Sequence, residues 1–68
     1  MNQLELAKRL RLERVRSGLK QYVVAKALEL DATAMVRIEN GQRSVSALEL
    51  IILIKLYEMN PIDLIAEK

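Results

Sequence analysis

Apolar residues recur at helical spacing along most of the chain, and short polar or glycine-containing breaks separate the runs. The pattern predicts five helices and no linker. The first runs from about Gln3 to Ser17, carries Leu4, Leu6, Ala7, Leu10, Leu12 and Val15, and ends at Gly18, a natural C-terminal cap. The second covers about Gln21 to Glu29. The third starts after Asp31, whose carboxylate can accept a free N–H of the first turn. It stops at Asn40-Gly41, where a left-handed backbone is easily reached. The fourth follows Ser46, with Glu49 three residues on to complete a capping box. In a short fifth helix Asn60 is the cap, Pro61 takes the first helical position and Asp63 sits in the first turn. Val24, Ala25, Leu28, Leu30, Met35 and Ile38 fit one core shared by the second and third helices.

The fourth helix has more apolar residues than one buried face needs. Leu50, Leu53, Ile54 and Tyr57 share a face, while Leu48, Ile52 and Leu56, spaced at i, i+4 and i+8, fall on nearly the opposite one. A helix apolar on both faces is expected to be buried on both. A twofold homodimer would cover Leu48, Ile52 and Leu56 with the same stripe from a second copy. Val45, Met59, Ile62 and Ile65 could extend that contact. The plainer reading is a scatter of exposed aliphatics, which is ordinary on protein surfaces.

Composition narrows the class. The 68 residues make one small domain, 1–68, whose core supplies little net stability. There is no Cys and no His, which removes disulfides and argues against structural zinc. The same absence, with no base placed beside the few hydroxyls, points away from an enzyme and implies no cofactor. Two glycines, one proline and 51% hydrophobic residues, with tyrosine the only aromatic type, favour an all-α chain. No run has the length of a membrane span and no signal-peptide core is evident, so the expected location is cytoplasmic. Charge is uneven. Residues 1–43 hold nine Lys/Arg against five Asp/Glu, and residues 44–68 hold two against four. A basic face attracts a phosphate backbone whatever its sequence, although a solvated helix surface would look the same.

The stretch from Gly18 to Arg43 places two short helices around a tight break, the layout that sets one helix in the DNA major groove. With Gln21, Ala25, Ile38-Glu39-Asn40-Gly41 and Pro61, the chain resembles the lambda-repressor-like (Cro/XRE) helix-turn-helix family over roughly Leu10 to Leu64. The resemblance implies a compact five-helix domain that binds double-stranded DNA, with the third helix reading bases. On the matching positions the base-reading residues are Ala32, Thr33, Val36 and Arg37. Arg37 is the strongest of them, because a guanidinium can bond O6 and N7 of guanine together. Thr33 can make one bond or set its methyl against thymine. Ala32 can do no more than touch a thymine methyl. The resemblance likewise implies phosphate contacts from Gln21, at a helix N-terminus, and from Asn40, Gln42 and Arg43 in the loop after the third helix. Arg14 matches an arginine that pairs with the glutamate at Glu39 and is aimed toward a phosphate. Lys20 stands where the family has a capping serine. Lysine cannot accept the capping bond but can reach a phosphate.

Other departures open a second reading. Tyr22, Val23 and Val36 replace polar residues, which leaves the third helix short of hydrogen-bonding groups. Glu13 replaces an apolar residue, so either the buried face of the first helix is rotated or Leu12 and Val15 reach a partner. The first function is a homodimeric transcriptional repressor of a palindromic operator, with autoregulation as the family's common use. The alternative is a protein-binding module in which Tyr22, Val23, Ala34 and Val36 form the docking face. An antitoxin would combine both, neutralising a partner toxin and binding its own operator.

Overall fold

The computed structural model describes residues 1–65, and of Ile65 the backbone alone. Among them are five helices: α1 (Gln3–Arg16), α2 (Gln21–Ala27), α3 (Ala32–Glu39), α4 (Ala47–Leu56) and α5 (Ile62–Ile65). None is long and apolar enough to cross a membrane. The fold is all-α, as the periodicity implied.

Each start is fixed locally. Asn2 and Glu5 form a capping box on α1, and Ser46 and Glu49 form another on α4. Asp31 Oδ1 accepts from the amide of Ala34 at 2.7 Å. Lys20, as expected of lysine, makes no side-chain cap on α2. At the last helix, Asn60 Oδ1 accepts from the Ile62 amide at 3.0 Å, and Pro61 lies in the turn just before the helix.

The ends explain where the sequence boundaries shift. α2 stops at Ala27 rather than Glu29, because Glu29 turns left-handed at φ 59°. The Leu30 amide then donates back to the Ala25 carbonyl at 2.8 Å, which satisfies a helix-end acceptor. Glu58 does the same after α4 at φ 53°. α3 ends with Gly41 at φ 77°, and the Gln42 amide donates to the Arg37 carbonyl at 2.8 Å.

Leu10, Val24, Met35, Ile38 and Leu53 are fully buried and form the centre of the core, with Ala25, Leu28, Tyr57 and Met59 around them. Leu30 packs against this cluster from its edge. α2 packs on α3, and α3 on α1. The inward stripe of α1 is Ala7, Leu10 and Glu13, so the face is not rotated: the acidic residue stays on the buried side, where ion pairs hold it. Leu12 and Val15 point to solvent. Glu13 is held by Arg9 Nε at 2.8 Å and by Arg16 Nη1 at 3.7 Å.

Candidate nucleic-acid interface

α3 presents two unlike faces. Met35 and Ile38 point inward, while Ala32, Thr33, Val36 and Arg37 form a row on the outside. All four residues expected to read bases are exposed together, and Arg37 makes no ion pair among the described residues. Ala34, named for the docking face, is half-buried, unlike Tyr22, Val23 and Val36, which are exposed.

Below this row lies a polar joint. Arg14 Nε and Nη2 donate to the two oxygens of Glu39 at 2.7 and 3.1 Å, and Nη1 donates to the Leu19 carbonyl at 2.9 Å. Gln21 Nε2 donates to Glu39 Oε1 at 3.0 Å. The carboxylate of Glu39, the last residue of α3, thus ties together α1 and the first residue of α2, while Arg14 also holds the approach to α2. The side chains of Arg14 and Glu39 are only 13% and 2% exposed. The bond to Glu39 holds the Arg14 guanidinium above its usual range, so the charge is permanent. Arg14 therefore lies mostly beneath the surface, with three of its donors committed inside the protein. Gln21 sits half-buried at the N-terminus of α2, and Lys20 is exposed just before it.

The loop after α3 carries the remaining residues. Asn40 and Gln42 are exposed. Arg43 lies in a half-buried pair, with Nη1 and Nη2 3.1 and 3.2 Å from the two oxygens of Glu49. The Arg43 hydrogen bond draws the Glu49 carboxyl below the usual carboxylate range, helped by the Ser46 amide. The sequence reading missed this pair and also the bond from Gln3 Nε2 to the Gly41 carbonyl at 2.7 Å. Both join segments whose closeness only the fold reveals. The Asn2–Glu5 box, also missed, had a legible signal in its own spacing.

Leu48, Ile51 and Ile62 are 67, 51 and 65% exposed, whereas Ile52 and Leu56 are half-buried and lean on the core. The predicted stripe is therefore split. Leu48 is open, and Ile51, absent from the sequence reading, joins it at the surface. Met59, named as an extension, lies in the core. The side chain of Ile65 lies outside the described residues.

Exposed α3, the α2–α3 pair and the polar joint beneath them define a helix-turn-helix DNA-binding domain. The family model "Helix-turn-helix domain" matches residues 5–67, and the chain belongs to that family, in its lambda-repressor-like (Cro/XRE) branch. Among solved structures it is similar to the restriction-modification controller protein C.AhdI from Aeromonas hydrophila. The two are 31% identical over 90% of this chain and 88% of that one, with a TM-score of 0.77. The comparison with curated proteins finds no match. Family and structural likeness together make this chain a DNA-binding transcription regulator.

Proposed function

We propose that the protein is a homodimeric, sequence-specific repressor that inserts α3 into the major groove of a palindromic operator, its own promoter included. The observation that carries this reading is the exposed row Ala32, Thr33, Val36 and Arg37 on the outside of a helix whose inner face is fixed in the core. Arg37 and Thr33 read bases, and Ala32 and Val36 offer apolar contact to thymine methyls. Lys20, Gln21, Asn40, Gln42 and Arg43 flank the row and hold phosphates, with Arg14 acting from beneath through Glu39.

A dimer through the open side of α4 supports the two-half-site arrangement, in which recognition helices stand about 34 Å apart. Leu48 and Ile51 are large aliphatics exposed on α4, Ile62 is another on α5, and a second copy seated there would bury them. Likeness to a restriction-modification controller protein adds control of a restriction-modification system as one setting for such a regulator.

A second reading rests on a separate observation. Tyr22 is 64% exposed, and it is accompanied by exposed Val23 and Val36 on the same pair of helices. That patch suits a protein partner such as a toxin, with operator binding retained.

The test is binding of the purified protein to DNA from immediately upstream of its gene, against random DNA, at two salt concentrations. A salt-sensitive complex that prefers the upstream DNA supports the repressor, and footprint spacing then reads the dimer. Absence of binding at low salt shifts the function to the Tyr22, Val23 and Val36 patch.

A further inference from the structure

Arg43 stands on a loop, yet its guanidinium makes three hydrogen bonds within the protein. Glu49 takes the two terminal nitrogens, and Nη1 also donates to the Ser44 carbonyl at 3.2 Å. The carboxylate that holds it is itself fixed. Glu49 Oε1 accepts from the Ser46 amide at 3.0 Å, and the Glu49 amide donates to Ser46 Oγ at 3.1 Å. A capping box that starts α4 thus doubles as a mount for an arginine in the loop that follows α3.

Five N–H groups leave a guanidinium in a fixed fork. Glu49 and Ser44 account for three of those donors. Among the described residues, none accepts from Nε or from the second Nη2 proton. Those two donors lie parallel along the side edge of the fork, the geometry that engages two oxygens of one phosphate. The side chain remains 33% exposed.

We infer that Glu49 is a positioning residue for DNA binding: it grips the terminal edge of the Arg43 guanidinium so that the side edge presents two parallel donors to a backbone phosphate. This rests on the DNA-binding role of Arg43 proposed above, and adds to it the residue that orients the contact. It also assigns an acidic side chain a favourable part in binding a polyanion, opposite in sign to what its charge alone would do.

That sign supplies the test. Affinity is measured for a short random-sequence duplex, since phosphate contacts are blind to sequence, at two salt concentrations. Glu49→Gln can still accept the Ser46 amide, because glutamine serves in a capping box. It removes a negative charge, so a purely electrostatic role makes the variant bind more tightly. Positioning makes it bind more weakly, by roughly fivefold at low salt. In an Arg43→Ala background the same change has no weakening effect. Thermal melting of each variant verifies the fold, and Glu49→Asp, which keeps the charge but shortens the reach, serves if Glu49→Gln melts early. Binding by Glu49→Gln equal to or tighter than the parent overturns the inference, and so does weakening that persists without Arg43. A parent protein that binds no duplex at low salt overturns the DNA-binding reading instead, and that is visible before any variant is made.

Discussion

Glu39 Oε2 lies 2.7 Å from Arg14 Nε, and the glutamate is almost wholly shielded from water. A buried charge that loses its partner costs more than the pair contributes. Glu39→Ala is therefore expected to lower stability by about 3 kcal/mol, a large part of what so small a domain has. Replacing Arg14 and Glu39 together by apolar residues should cost less than Glu39→Ala alone. Denaturant midpoints of the three proteins check the order, and equal losses would show that the pair acts through something other than mutual charge.

The Tyr57 hydroxyl is buried and has no hydrogen-bond partner among the described residues. Tyr57→Phe should be neutral or stabilising by up to about 1 kcal/mol. Burial, with a smaller push from Glu39, raises the hydroxyl above its ordinary value, while Arg14 opposes the shift. The folded chain then holds this proton more tightly than the unfolded chain. The related stability is intact below about pH 10 and is lost as pH rises through the folded value. Alkaline melting should separate the two proteins, with Tyr57→Phe falling less above that pH.

Glu29 occupies a left-handed conformation in the turn between α2 and α3, where glycine is more at ease. Glu29→Gly should raise stability by about 0.5–1 kcal/mol, net of the extra freedom glycine gives the unfolded chain. Gly41→Ala should do the reverse, by about 1–2 kcal/mol. Its φ is 77°, and an added Cβ would stand 3.0 Å from Leu4 Cδ1 and 3.4 Å from Leu4 Cα. Thermal midpoints moving in opposite directions would confirm both.

Arg37→Ala should abolish preference for the upstream DNA while binding to random DNA largely survives. Competition titrations with the two duplexes read the ratio directly. An equal fall on both would make Arg37 a phosphate contact.

Ile52 leans on the core, so a charge there would damage the fold itself as well as the proposed interface. Leu48, 67% exposed, separates the two effects. Leu48→Glu should leave the monomer folded and raise the dimer dissociation constant at least tenfold, since an unpaired charge would be buried at the contact. Analytical ultracentrifugation measures this, and an unchanged dimer would move the interface off this face.

Local signals carried much of the fold. Asp31, the Ser46–Glu49 box, Gly18 and Gly41 mark boundaries through bonds made within a few residues, and those boundaries lie close to where they were expected. Val24, Met35 and Ile38 declared themselves as core by spacing. What stayed hidden depends on distance in space. Leu4, Leu12 and Val15 resemble buried residues by type but face solvent, and Glu13 sits inward with Arg9 and Arg16 on it, whereas the Arg14–Glu39 pair was legible from the family positions. Glu29 as a left-handed residue has no compositional warning, since glutamate rarely adopts that conformation. The outward row on α3 could be matched to family positions from the sequence alone, whereas the Glu49 mount under Arg43 could not, because the capping box already gave Glu49 a sufficient local purpose.

The bond from Gln3 to the Gly41 carbonyl stitches the start of α1 to the loop beside the outer row. Met1 and Asn2 line the same recess as Arg43 and Val45. An affinity tag or fluorescent protein fused ahead of Met1 would therefore emerge beside the loop that carries Arg43, crowding the surface proposed for DNA and straining the Asn2 cap. A fusion placed there is expected to weaken the binding it is meant to measure.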